Sequence, residues 1–172
     1  MKVIKNKAVV DDDWRVLRLT ETDTAEGLTI PAGKVVVPLA VWQAQRATLQ
    51  TRGDLGVWLN SDESAESLAK DLDQFALIAV NFPKFADGRG YTIAQQLRVR
   101  LNYCGELRAI GDVLRDQLFY MQRVGFDAFE VRADKNIDAA LLGLSDFSVR
   151  YQASSDEPQP LFRRETRGEV HE

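Results

Sequence analysis

The stretch FALIAVNFPKFADGRGYTIAQQLR (75–98), continued by ELRAIGDVLRDQLFYMQRVGF (106–126) and DAFEVR (127–132), decides the fold. Three short apolar runs, at 76–82, 107–110 and 128–131, alternate with two stretches of helical periodicity. Each run ends in polar or charged residues and glycine, the pattern of β-α-β-α-β with parallel strands and crossover helices. In open parallel sheets ligands sit beyond the carboxyl ends of the strands. Those ends carry Lys84, Asp87, Arg89, Asp112, Arg115, Glu130 and Arg132.

Working outward, KVVVPL (34–39) and LGVWL (55–59) read as two further strands, apolar enough to be buried on both faces. A helix is expected over 41–52 with Gly53 as its stop. A second should run through Asp71, with Ala65, Leu68, Ala69 and Leu72 on one face. Pro83 should end the third strand, and Thr92, with Gln95 three residues on, fits the start of the next helix. Ile93, Leu97 and Leu101 form that helix's buried stripe, which leaves Arg98 and Arg100 in solvent. Asp112 fits the cap of the following helix, and a last helix near 137–147 leads to a short edge strand at 146–151. At the amino end, KVIKNKAVV (2–10) and WRVLRL (14–19) read as extended pieces, with a hairpin turn at Asn6-Lys7. This region, 1–19, is expected to be an appendage on the main fold.

These readings give a single α/β domain over 1–151 and a disordered tail over 152–172, where composition turns polar and the apolar period ends. The architecture expected is an open, mainly parallel five-stranded sheet with helices on both faces, plus the small N-terminal β-hairpin. A partial β/α barrel is the alternative, because RVGFDAFEV (123–131) reads like a barrel's helix-to-strand passage. A closed eight-stranded barrel typically needs ~250 residues, more than this chain has.

Composition narrows the function. With 172 residues, 45% of them hydrophobic, the chain can bury a real core. A net charge of −4 argues against non-specific nucleic-acid binding, which needs a basic surface. Cys104 is the sole cysteine, so no internal disulfide or cysteine-based metal site can form, and its place at a helix end reads as inert. The sole histidine, His171, lies in the tail, which argues against a histidine triad or histidine metal cluster. No apolar run approaches the ~18 residues of a membrane span, and no signal-like segment opens the chain. A cytoplasmic protein is the expectation.

Within PKFADGRGY (83–91), Lys84, Asp87, Arg89 and Tyr91 combine cations, an aromatic ring and glycines that allow close backbone approach. This set suits a small oxyanion or an acidic partner, although Asp87 and Arg89 could equally pair with each other in a structural loop. The run matches neither GxxxxGK[ST] nor GxGxxG. Arg115 in GDVLRDQ stands where positive charge opposes the helix dipole, so it either pairs with Asp112 or Asp116 or holds an anion. Glu130 is a carboxylate within an apolar strand and should meet a cation, Lys84 or Arg115, with Arg132 close by. A paired carboxylate beside several cations serves either as a structural ion pair or as a proton-transfer site.

The runs NFPKFADGRGYTIAQQLR (81–98) and GELRAIGDVLRDQLFYMQRVGFDAFEVR (105–132) resemble a bacterial domain-of-unknown-function family, number 934. The similarity extends from KNKAVVDDDW (5–14) to about Tyr151. Members are commonly encoded beside assimilatory sulfite reductase and labelled probable oxidoreductases involved in sulfite reduction. The family carries no established catalytic residue set. The resemblance implies an accessory component of assimilatory sulfite reduction and cysteine biosynthesis. Such a component would bind sulfite reductase or a ferredoxin-type electron donor through the cationic strand-end surface. The alternative is a small oxyanion- or flavin-binding oxidoreductase using the same edge; no cofactor is evident in the sequence itself. Self-association through an apolar face is a third reading.

Overall fold

A computed structural model of the chain describes residues 1–145; the expected edge strand at 146–151 and tail at 152–172 lie outside the described residues. In chain order the elements are β1 (Lys2–Lys5), β2 (Ala8–Asp11), β3 (Arg15–Val16), β4 (Val35–Pro38), α1 (Leu39–Leu49) and β5 (Leu55–Leu59). Two short 3-10 turns, Ala65–Leu68 and Leu72–Gln74, lead to β6 (Leu77–Phe82) and α2 (Arg89–Gln95). A π-helical turn, Gln96–Arg100, extends α2. It is followed by β7 (Glu106–Gly111), α3 (Arg115–Val124), β8 (Ala128–Phe129), α4 (Ile137–Leu142) and a closing 3-10 turn, Gly143–Ser145.

All eight strands form one sheet in the order β2-β1-β8-β7-β6-β5-β4-β3. From β3 to β8 every neighbouring pair is parallel, and β1 joins antiparallel to both β8 and β2. The sheet is therefore larger than the five strands expected, and 1–19 is no appendage. Asn6 and Lys7 do make the hairpin turn, both with positive φ (50° and 63°) as a two-residue turn of type I′ requires. The hairpin then docks on β8, while β3 docks on β4 at the far edge.

This arrangement forces the sheet to curl. Eight strands side by side at ~4.8 Å would hold the two edges about 34 Å apart if flat. Yet β2 ends at Asp11 and β3 begins at Arg15, a span of at most about 14 Å. Asp12 N–H still bonds Met1 O, on the β1 side, and Arg15 N–H already bonds Lys34 O, on the β4 side. The curled, open sheet is a half-barrel, which is the alternative architecture read from RVGFDAFEV.

The helices all lie on one face, not on two. Strand order follows chain order from β3 to β8, and right-handed crossovers then return every helix to the same side. Accordingly, one core cluster joins Val35, Val57, Ile78, Val80 and Phe129 to Trp42, Leu97, Leu118 and Met121 of the helical layer. A second, smaller cluster occupies the concave face: Val36, Leu77, Ala79 and Ile110, with Trp14, Val16 and Trp58 packed on them.

Local chemistry moved several element boundaries. The helix expected through Asp71 breaks into 3-10 turns. Asp71 turns inward to accept from Trp42 Nε1 (3.1 Å) and to pair with Arg46, leaving helical geometry at φ −122°. Helix α2 starts at Arg89 instead of after Thr92, because the Asp87 carboxylate accepts the Arg89 N–H. Asp112 does not cap α3, which begins three residues later; its carboxylate is engaged elsewhere. Arg98 is not solvated. Its guanidinium bonds the carbonyls of Gly125, Tyr103 and Gly105 and pairs with Asp127, tying the end of α2 to the chain entering β8. Arg100 does remain exposed, paired with Glu66.

At the centre of the concave face lies Arg108, fully buried. It makes two 2.8 Å bonds to Asp12 and bonds of 2.9 and 2.6 Å to Glu106. Glu106 also pairs with Lys5 at 2.6 Å. The Cα partners of Arg108 in the sheet are Ala79 and Ala128, small residues that leave room for a guanidinium on the inside. Burial alone would lower the Arg108 pKa, but Asp12 and Glu106 outweigh it and the pKa is raised. Removing one partner from such a network strands the others without water. Arg108→Ala should therefore destabilise the fold by about 3–5 kcal/mol in urea denaturation. Arg108→Met combined with Asp12→Asn and Glu106→Gln should recover much of that loss.

Candidate functional site

Because β3 to β8 run parallel, their carboxyl ends gather around one mouth of the half-barrel. In complete β/α barrels this is the face that carries active sites. A cavity of about 300 Å³ opens there, lined by Lys2, Arg18, Gly111, Glu130, Arg132 and Lys135 among others. Four basic side chains line it beside one carboxylate; Arg132 and Lys135 are paired with Asp112 and Asp134, which leaves Lys2 and Arg18 as the cations not held by a carboxylate among the described residues. Such unneutralised cations favour an anion.

Arg18 follows β3 and reaches over the mouth, exposed. Its guanidinium stacks over Trp58, 5.2 Å from the ring centroid, and donates to Asn81 Oδ1 at 3.3 Å. Asn81 in turn donates to Asn60 Oδ1 at 3.0 Å, and Trp58 Nε1 donates to Leu17 O at 2.8 Å. Gly111, at φ +94°, lets the end of β7 pass this group closely: a Cβ there would stand 2.5 Å from Phe82 O and 2.7 Å from Asn81 Oδ1.

Glu130 continues β8 and shares the inner face with Ala128, whose sheet partner is Arg108. The strand's period of two decides its neighbours. They are Arg108 and Arg18, and not Lys84 or Arg115 as expected from the sequence. Glu130 Oε2 is buried, and no donor among the described residues reaches it. Burial raises the Glu130 pKa; Arg108 and Arg18 oppose that, and Asp12 adds to it.

The remaining residues expected at the site divide into groups. Asp112 and Arg132 meet at 2.7 Å, and Asp112 also accepts the Phe85 N–H at 2.8 Å, pinning the loop after β6. Arg132 is clamped from its other side by Asp134; together Asp134 and Asp112 raise its pKa. Asp87, Arg89 and Tyr91 form a separate set outside the cavity. Asp87 accepts from Arg89 and, at 2.7 Å, from Ser61 Oγ, and these bonds hold its carboxyl well below the usual range. Tyr91 is half-buried between Phe82 and Tyr120, and burial pushes its hydroxyl pKa up. Lys84 is exposed on the loop between them. Arg115 opens α3 and packs against Gly143, away from the cavity lining.

Sequence reading missed Arg18, Asn81, Asn60 and the Lys5–Glu106–Arg108–Asp12 network. The signal for Arg108 was present: it is a charge amid the apolar residues of ELRAIG, the same anomaly that marked Glu130. Arg18 carried no such mark, since it lies in a segment of alternating polarity.

A second hollow, about 370 Å³, lies at the opposite end and includes Lys7, Arg98, Gln122, Phe126 and Phe129. Its Arg98 is already committed to three carbonyls and a carboxylate. In barrels that end serves stability. Among the described residues no group of three or more His, Cys, Asp or Glu is placed to hold a metal ion, and no helix is long and apolar enough to cross a membrane.

A carboxyl whose folded pKa is raised stabilises the fold most below its unfolded value, here the ordinary 4.5, and that stability is lost as pH rises through the folded pKa. Glu130→Gln should thus raise the melting temperature at pH 8 relative to the wild type and leave it unchanged near pH 4. Thermal unfolding of the two proteins across that range checks the sign.

No curated protein and no solved structure matches the chain. The sequence model of one family, described as bacterial protein of unknown function (DUF934), matches residues 56–162. That match takes in β5 to α4 with the loops after β6, β7 and β8, more than half of the chain. The chain is a member of this DUF934 family of bacterial proteins of unknown function.

Proposed function

We propose that this protein is a small-oxyanion-binding component of assimilatory sulfite reduction, taking its anion at the mouth of the half-barrel. The observation that carries the reading is the cavity in which Lys2, Arg18, Arg132 and Lys135 surround Glu130. Arg18 is the central ligand. It is exposed, yet oriented by Trp58 and Asn81, so it offers a planar donor fork at little further entropic loss. The sulfur context rests on the family resemblance, and the class of ligand rests on the charges. At about 300 Å³ the cavity is at the lower limit of small-molecule sites. That size and its cationic lining suit a compact anion better than a flavin ring system.

Docking of sulfite reductase or a ferredoxin-type donor at Lys84, Arg89 and Arg115 has one observation in its favour. Phe85, the residue after Lys84, is exposed, which offers an apolar contact beside a cation. Against it, Asp87 neutralises Arg89 at 2.8 Å, which weakens any cationic field there.

Titration calorimetry with sulfite, sulfate and phosphate tests the first reading. Arg18→Ala should weaken binding at least about tenfold, as expected for loss of a charge-assisted bond. Lys84→Glu with Arg89→Glu should leave anion affinity within about twofold. A reversal of this ranking would move the site to the loop after β6.

A further inference from the structure

We infer that Glu130 is the proton-bearing group of this mouth, so that a small oxyanion and one proton enter together. The inference rests on the oxyanion reading above and adds the chemistry of Glu130, the one acidic residue of the cavity lining among the described residues. Glu130 lines the cavity, and its Oε2 is buried with no donor among the described residues. A carboxylate placed in that way is poorly solvated, and the charges around it are already shared out. Arg108, on β7, is held by Asp12 and Glu106. Arg132, on the loop after β8, is held by Asp112 and Asp134. Arg18, beyond β3, donates to Asn81, Lys135 after β8 pairs with Asp134 at 3.5 Å, and Lys2 on β1 stands exposed at the rim beside Met1, whose amino group donates to Asp12 O at 3.3 Å. Asp12, from the segment between β2 and β3, adds negative charge on the same side.

An anion in this cavity meets cations at the rim and a second negative charge in the wall. Two like charges a few ångströms apart favour protonation of the weaker acid. For a strong-acid dianion such as sulfate that weaker acid is Glu130, and the proton comes from solvent. The bound state then holds the anion, the rim cations and a neutral carboxyl. A weakly acidic oxyanion could bring the proton itself, with the same count in the complex. Binding is thereby linked to pH through one group.

The experiment is calorimetric titration of sodium sulfate into the whole chain at constant ionic strength, from pH 5.5 to 8.5. Two buffers of different ionisation enthalpy count the protons taken up. In the wild type, sulfate affinity should fall up to about tenfold per pH unit above the Glu130 pKa, with close to one proton bound per anion. Glu130→Gln keeps the shape and stays neutral. It should bind sulfate more tightly than the wild type at pH 8, with a flat profile from pH 5.5 to 7 and no Glu130-linked proton uptake. Sulfate binding with equal, pH-independent affinity in both proteins would overturn the proton coupling and leave the oxyanion reading standing. Absence of sulfate binding to both proteins at pH 5.5, with folding verified by circular dichroism, would overturn the two together.

Discussion

The structure depends on a short chain crossing. Asp12, Asp13 and Trp14 carry the chain from one edge of an eight-stranded sheet to the other, and so few residues can do this only if the sheet curls. Arg108 locks the crossing in place, bonding Asp12 from the middle of β7, 96 positions away in the chain. Trp14 follows immediately and packs on the concave apolar cluster. The curl, the interior and the mouth all follow from this one constraint.

The interior differs from that of a closed barrel, where layers of branched apolar side chains fill the centre. Here the apolar layer, Leu77, Ala79, Ile110 and Val36, is paired with an ionic one built on Glu106 and Arg108. Buried ion networks gain little net stability over well-packed apolar groups, yet breaking them is strongly unfavourable. They are directional, however. Alanines flanking Arg108 on both neighbouring strands admit the guanidinium in one register, and a one-residue slip would turn it toward the helices.

Single-direction winding has a consequence for where a cavity can form. With strand order following chain order there is no point at which the sheet reverses, and hence no crevice of the kind that serves doubly wound sheets. The loops after β6, β7 and β8 instead meet around one opening. Asp112 fastens two of them, through the Phe85 N–H and through Arg132. The cations that remain at the rim, with Arg18 arriving from the amino-terminal segment, define the cavity's charge.

Much of this was legible in the chain itself. Strand β5 falls at the residues its apolar run indicates, Leu55–Leu59, and β7, Glu106–Gly111, extends the 107–110 run by one residue at each end, because short β-rich runs bounded by turn residues leave little choice. The hairpin at Asn6-Lys7 was also readable, and Glu130 stood out as a charge in an apolar run. Local sequence could not fix the partners of β1 and β3, since two- to four-residue strands carry no information about which edge they join. Nor could it pair Arg108 with Asp12, a contact made by curvature. Composition and periodicity determined that this chain forms parallel β-α units with charged strand ends. Only the tertiary structure decided that those ends close on a cavity and that Glu130 faces Arg108 and Arg18, because side-chain facing depends on register and curl, and both are set by contacts remote in sequence.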